Sequence, residues 1–103
     1  MKYIYLAGPY TKNPEQMTSA MLLIASRLIE KNFIPFVPHL CHFWDSFRPE
    51  EYEYWFEYVS AWIEKCDALV YVNLSPGVNR EIAIAEKAGV PVFTLAEFIK
   101  EFT

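Results

Sequence analysis

The best candidates for chemistry lie in a short loop between two predicted elements. Ala68 to Leu74 is a continuous β-prone run, typical of a strand that is covered on both faces. Ser75-Pro76-Gly77 interrupts it, and a helical pattern follows from about Asn79 to Ala88. A loop that opens a helix presents free backbone N–H groups and the positive end of the helix dipole to a ligand. The segment is therefore predicted to bind an anion.

Four residues of this loop and helix are candidate site residues. We expect Ser75, Gly77 and Asn79 to bind the substrate, and we place Glu81 in the first turn of the helix as the catalytic group. The dipole favours an ionised carboxylate at such a position. An ionised carboxylate beside a sugar can attack the anomeric carbon or stabilise an oxocarbenium-like transition state. The same side chain could equally serve only to cap its helix.

A second loop follows the first predicted strand. Lys2 to Leu6 is a short β-branched and aromatic run that stops at Gly8 and Pro9. Alternation puts Tyr3 and Tyr5 on one face, and a tyrosine hydroxyl at the strand tip could donate a hydrogen bond to Glu81. Without such a partner, Tyr5 would belong only to the core. The turn at Gly8 and Pro9 lets the backbone approach a ligand.

A third loop contains His39, His42, Trp44 and Asp45. One nearby carboxylate and no third histidine do not favour a metal site, so we expect neither a metal nor another cofactor. We expect an aromatic and imidazole surface that stacks on a base, with Trp44 and His42 in contact with it. The alternative is a loop that packs against the aromatic helix following it.

The elements that would position these loops alternate between strand and helix. Pro35 favours an edge or near-edge place for the second strand, and Gly89 is expected to cap a helix in the left-handed conformation. The alternation favours right-handed βαβ units and an open three-layer α/β sheet, with ligands beyond the carboxyl ends of the strands. Residues 39–49 are expected to be irregular. The predicted strands are 2–6, 33–37, 68–74 and 90–94, and the predicted helices are 13–31, 50–66, 79–88 and 96–102.

Composition limits the class of protein. The 103 residues, 53% hydrophobic and 17% aromatic, favour one folded domain over residues 1–103 with aromatic surface left for a homodimer or higher homo-oligomer. The formal net charge of -4 opposes binding to duplex nucleic acid. No apolar run suits a signal peptide or membrane span, so we expect a cytoplasmic protein without a membrane partner. Cys41 and Cys66 are expected to be buried free thiols.

Three motifs, spread along the chain from Tyr3 to Val92, carry a resemblance that covers nearly the whole chain. They are Tyr3 to Leu6 with Ala7-Gly8-Pro9, Cys66-Asp67-Ala68-Leu69, and Ser75-x-Gly77-x-x-x-Glu81-x-x-x-Ala85-x-x-x-Gly89-x-Pro91-Val92. Together they resemble the nucleoside 2-deoxyribosyltransferase superfamily, which includes the 2'-deoxynucleoside 5'-phosphate N-hydrolases and a branch of short, often phage-encoded members. Pro38-His39 with His42-Phe43-Trp44-Asp45, and Tyr52-Glu53-Tyr54-Trp55, look similar to that short branch.

The resemblance implies a Rossmann-like, flavodoxin-like parallel sheet of about four to five strands. It also implies cleavage or transfer at the N-glycosidic bond of a small nucleoside or nucleotide. Glu81 resembles the glutamate nucleophile, and Tyr5 resembles the strand tyrosine that orients it. Ser75 resembles the phosphate-contacting serine of the hydrolases, whereas Gly8 and Gly77 resemble loop glycines beside the ligand. These matches favour a nucleoside 5'-phosphate as substrate and water as acceptor.

One departure from the family pattern leaves two further hypotheses open. The usual general-acid aspartate is replaced by Val59, which cannot donate a proton, so Asp45 or His42 would have to help the base leave. The chain could instead be a non-catalytic module that binds or sequesters a nucleotide. It could also be an oligomerising structural subunit, with an aromatic contact made by Tyr54, Tyr58 and Trp62.

Overall fold

A computed structural model describes residues 2–10 and 12–103. The strands are β1 (Tyr3–Ala7), β2 (Ile34–Phe36), β3 (Ala68–Tyr71) and β4 (Val92–Thr94). The α-helices are α1 (Pro14–Glu30), α2 (Cys41–Phe47), α3 (Tyr52–Ser60), α4 (Pro76–Lys87) and α5 (Leu95–Phe102). Short 3₁₀ turns lie at Pro38–Leu40 and Ile63–Lys65.

The four strands form one parallel sheet in the order β2-β1-β3-β4, which confirms the predicted open α/β fold. β2 is an edge strand, as its proline predicts. After β1 the chain crosses to β2 at one edge of the sheet, and after β3 it crosses to β4 at the other edge. The loops after β1 and β3 therefore separate and leave a crevice, the usual ligand position in a sheet of this kind.

Strict alternation along β1 assigns each of its side chains to one of two cores. Ile4 and Leu6 pack with α1 and α5 on one face, together with the buried Phe98. Tyr5 and Ala7 pack on the opposite face with α4 and the turn after α3. Since both faces are covered by helices, β1 has no exposed side chain after Tyr3, and any polar group on it must find a partner inside the protein.

Several boundaries differ from the sequence-based prediction, and the differences at α2, α3 and α4 bear on the site. Residues 41–47 form α2 and not an irregular loop; the helix contains no buried residue, so it has no apolar stripe that periodicity could reveal. α3 ends at Ser60, and a 3₁₀ turn continues its buried face to Ile63. α4 begins at Pro76 and not at Asn79. Ser75 and Pro76 are an N-cap residue followed by proline at the first helical position, which is the signal that marks this start.

The end of α4 agrees with the prediction, because Gly89 follows it with a φ of 76°. No helix in the described ranges is long and apolar enough to cross a membrane.

We expect Phe98→Ala to lower the free energy of unfolding by about 3 kcal/mol, since it removes a fully buried ring from the α1–α5 core. The ring contacts Phe33, Phe93 and Phe102 with centroid distances of 5.0, 5.9 and 4.9 Å. Urea unfolding measures the change. The matched control is Phe47→Ala, a ring that is 86% exposed, for which we expect less than about 0.5 kcal/mol. Equal losses in both variants would contradict this description of the core.

Candidate active site

A cavity of about 500 Å³ lies at the crevice between the carboxyl ends of β1 and β3. Its walls come from four parts of the chain: the loop after β1, the segment after β2, one face of α3 and the start of α4. The lining residues are Gly8, Tyr10, Pro38, His39, Cys41, Asp45, Glu50, Tyr52, Trp55, Phe56, Val59, Ser75–Val78, Arg80 and Glu81.

The central contact of the site is a buried hydrogen bond between β1 and α4. The Tyr5 hydroxyl donates to Oε2 of Glu81 over 2.5 Å, and the two residues are 0% and 7% exposed. Glu81 lies in the second turn of α4, because the helix begins at Pro76; the prediction of a first-turn position is wrong. Its side chain does reach the strand tip, and Tyr5 has the partner that distinguishes a site residue from a core tyrosine.

Burial decides the protonation of this pair. Desolvation raises the pKa of Glu81 to about 7, although the Tyr5 hydrogen bond and the nearby charge of Arg80 act to lower it. Burial and the Glu81 charge hold the pKa of Tyr5 well above its ordinary value, so the phenol remains a donor. At neutral pH the Glu81 carboxyl therefore exists in both protonation states. The helix dipole alone does not keep it ionised.

The start of α4 offers few donors to a ligand. Pro76 has no N–H, and the Val78 N–H donates to the Ser75 hydroxyl oxygen over 3.2 Å. The Gly77 N–H is the first-turn donor that helix geometry leaves without an internal partner. A Cβ on Gly77 would lie 2.9 Å from the Tyr52 hydroxyl, which is the end of a side chain that is 44% exposed, so the start of α4 and α3 approach closely here.

His39 connects the loops after β1 and β2. It is 3% exposed, and its Nε2 lies 3.0 and 3.1 Å from the carbonyl oxygens of Gly8 and Pro9. Since carbonyls only accept, Nε2 must carry the proton, and Nδ1 has no hydrogen-bond partner in the described part of the chain. Burial lowers the pKa of His39, so it is a neutral bridge between loops. Gly8 itself packs against the end of the Met21 side chain.

Asp45 lines the cavity, but its bonding opposes the predicted role as a proton donor. Its Oδ1 accepts hydrogen bonds from the Glu50 N–H over 2.9 Å and from the Trp55 indole over 2.7 Å. These bonds lower the pKa of Asp45, so the group favours the ionised form. Asp45 joins α2 to the start of α3 and holds Trp55 in the cavity wall.

Four predicted binding residues do not line the cavity. Pro9 contributes its carbonyl to His39, and Asn79 is exposed on α4. His42 lies 3.8 Å from Glu15, and the Trp44 ring packs on Trp55 and Tyr58. Neither side chain lines the cavity, although each packs against a residue that does, His42 against Tyr10 and Trp44 against Trp55. Their contact with a base stays a prediction. Among the described residues, no cluster of His, Cys, Asp or Glu could hold a metal.

The sequence interpretation missed a polar and aromatic wall made by α3 and Arg80. The Arg80 guanidinium donates to both oxygens of Glu53 over 2.7 and 2.9 Å and lies 3.9 Å above the Phe56 ring centroid. Trp55 and Tyr52 line the same wall. Their positions within the apolar stripe suggested only core or interface roles. Arg80 precedes Glu81 in the motif, but its ion pair with Glu53 forms only because α3 lies next to α4.

Two other expectations concern the surface and the thiols. Tyr54, Tyr58 and Trp62 are between 40% and 45% exposed, so they are available for the predicted subunit contact, which stays a prediction. Cys41 and Cys66 are free but half-buried, and not fully buried as expected. Burial raises the pKa of Cys66 to about 11 and also raises that of Cys41, so neither is an activated nucleophile.

The parallel sheet, its crevice and the carboxyl buried beneath it define a Rossmann-like α/β protein with a candidate small-molecule site. The chain belongs to the family described as "Domain of unknown function (DUF7768)", which matches residues 2–95. No curated protein matches the chain. A solved structure described as "2-desoxiribosyltransferase from Leishmania mexicana" is similar, with a TM-score of 0.70 and 20% identity. The match covers 91% of this chain and 63% of that one, and it shows a shared fold.

The buried carboxyl predicts a pH-dependent stability. Because the folded pKa of Glu81 is about 7 and its ordinary value is 4.5, the folded state retains a proton that the unfolded state loses between these values. The contribution of Glu81 to the free energy of unfolding should therefore fall as pH rises from about 4.5 to 7, whereas buried His39, whose pKa is lowered, contributes with the opposite sign. We expect Glu81→Gln to remove this fall and to gain about 3 kcal/mol relative to the original protein at pH 8, measured by urea unfolding.

The control for this prediction is Glu86→Gln, which removes one exposed carboxylate from the same helix. It should leave the slope of stability against pH unchanged. If Glu81→Gln and the original protein showed parallel pH profiles, the assigned pKa of Glu81 would be wrong.

Proposed function

We propose that this protein cleaves or transfers at the N-glycosidic bond of a nucleoside or nucleotide, with Glu81 as the nucleophile. The observation that carries the proposal is the buried Tyr5–Glu81 pair at the wall of the crevice. A carboxyl held there by a strand tyrosine costs stability, and such costs are typical of functional sites. The shared fold with a deoxyribosyltransferase supports the same reaction class by analogy.

The described residues suggest a role for each part of the cavity. Ionised Glu81 attacks the anomeric carbon, and Tyr5 holds the attacking carboxylate in place through its hydrogen bond. The Gly77 N–H and the Ser75 hydroxyl bind an oxygen of the sugar or its substituent. The aromatic wall formed by Trp55 and Tyr52 receives the base. Water or a second base then accepts the sugar from Glu81.

Val59 favours a second candidate function. Its side chain lines the cavity and is 6% exposed, so an apolar group occupies a position that faces the ligand. Since Asp45 also favours its ionised form, neither Val59 nor Asp45 can act as the acid that protonates the departing base. A module that binds a nucleotide without chemistry would have the same features, and it would show tight binding with no release of base.

We expect Glu81→Gln to lower base release by at least about 1000-fold, because the amide cannot attack and the shape of the site is kept. The assay incubates the protein with a panel of nucleosides, nucleoside monophosphates and ADP-ribose derivatives, and detects free base by chromatography. Glu86→Gln is the control and should retain the original rate. Base release by Glu81→Gln at the rate of the original protein would remove the proposed role of Glu81.

We expect Tyr5→Phe to shift the pH dependence of kcat/KM. The original protein should gain activity as pH rises through about 7, where Glu81 becomes ionised. The Tyr5 hydrogen bond lowers the pKa of Glu81, so its removal should move the midpoint to higher pH. Tyr3→Phe, on the exposed start of the same strand, is the matched control. An unchanged midpoint in Tyr5→Phe would show that Glu81 ionisation does not control the rate.

A further inference from the structure

The charges around the cavity do not suit a phosphate group. Among the described lining residues, Arg80 is the one with a cationic side chain, and both its guanidinium nitrogens that face α3 are bonded to Glu53. Glu50 is paired with Arg48 over 3.1 Å. The remaining carboxyl groups of the wall are Asp45 and Glu81. In the described residues neither is bonded to Arg48 or Arg80, although the Arg80 charge lies close enough to act on Glu81. The wall is therefore negative, and it would repel a phosphate dianion and attract a cation.

Apart from Glu81, which the proposed attack uses in its ionised form, the described cavity residues lack a group suited to protonate a leaving base. Asp45 favours its ionised form, and Glu50 is engaged with Arg48. His39 is neutral, and its one N–H bonds the backbone carbonyls of the loop after β1. Val59 has no proton to give.

The weaker acids in the wall do not replace such a group. Burial raises the pKa of Tyr10, Tyr52 and Cys41 above their ordinary values, so each becomes a poorer proton donor. A neutral base leaves from carbon slowly unless it is protonated, since it otherwise departs as an anion. A base that already bears a positive charge departs as a neutral molecule and needs no acid.

The aromatic wall already holds one planar cation. The Arg80 guanidinium lies over the Phe56 ring and is bonded at its edge to a carboxylate. Trp55 and Tyr52 present further aromatic surface in the same cavity. Aromatic faces next to a negative charge favour flat cations over neutral rings of the same shape.

From the cavity charges, the missing acid and this wall, we infer that the substrate is a nucleoside without a phosphate group. Its base carries a positive charge on the ring that is bonded to C1', as in an N-alkylated purine or a pyridinium. The inference rests on the proposed function, and it replaces the nucleoside 5'-phosphate that the sequence favoured. In the reaction, a Glu81 oxygen bonds to C1' as the C1'–N bond breaks, and the bond's electron pair neutralises the base. Water then displaces Glu81 from C1' and releases its proton to solvent.

The first experiment uses the unaltered protein and two matched pairs of compounds. The pairs are 7-methylguanosine with guanosine, and nicotinamide riboside with its 5'-phosphate, and the rate of uncatalysed base release is subtracted from each measured rate. We expect the cationic purine to exceed guanosine, and the riboside to exceed its phosphate, by at least about tenfold. A smaller or reversed ratio in either pair would overturn this inference and leave the proposed function intact.

Failure of the proposed function gives a different result. If no compound of these pairs or of the wider nucleoside panel released base, the N-glycosidase proposal and this inference would both be overturned. Base release only from other members of the panel would overturn this inference alone.

A substitution at Val59 tests the missing acid. We expect Val59→Asp to narrow the ratio of 7-methylguanosine to guanosine rates by at least about tenfold relative to Val59→Asn, because a buried aspartic acid can protonate the neutral base. The asparagine variant has the same shape and controls for polarity. Equal ratios in the two variants, with both folded by circular dichroism, would show that protonation does not limit guanosine cleavage and would overturn the inference.

A substitution at Glu53 tests the charge argument. Glu53 is exposed, and Glu53→Gln should free the Arg80 charge to attract phosphate. We expect the ratio of riboside to 5'-phosphate rates to fall by about threefold, and to stay unchanged in Glu86→Gln. An unchanged ratio in Glu53→Gln would overturn the claim that wall charge excludes phosphate.

Discussion

The rest of the site depends on the carboxyl group of Glu81, which is buried away from water and accepts a strong hydrogen bond. Glu81 is buried beneath the crevice, and the Tyr5 hydroxyl is its direct partner. Burial raises the pKa of Glu81 to about 7, so the pair costs stability at neutral pH. The fold tolerates this cost because β1 and β3 are central strands whose side chains are covered by helices on both faces.

The walls around this pair are held by contacts between different parts of the chain. His39 joins the loops after β1 and β2, and Asp45 bonds the Trp55 indole. Glu53 and Phe56 fix the Arg80 side chain over α3. Each contact uses a polar or charged group that could otherwise have served a ligand. Few polar groups of the cavity therefore remain available for phosphate or for proton transfer.

Because its polar groups are engaged in this way, the site has properties that the fold alone does not determine. A parallel sheet with a crevice at the switch point accommodates many chemistries, so the similar solved structure cannot assign a substrate. The charge balance of the wall and the apolar side chain of Val59 are properties of this cavity. They favour a ligand that brings its own positive charge and its own leaving-group activation. The reaction class and the substrate class thus rest on different observations.

The sequence by itself determined the alternation of strands and helices, the two faces of β1 and the left-handed cap at Gly89, because each depends on local periodicity or backbone freedom. It also singled out Tyr5 and Glu81, whose contact follows once β1 lies beside the strand that precedes α4. It could not reveal α2, which buries no residue, or that His42 and Trp44 do not line the cavity. Only the tertiary structure decided the pairing of Arg80, the bonding of Asp45 and the pKa of Glu81, because these depend on distances and burial between elements far apart in the chain.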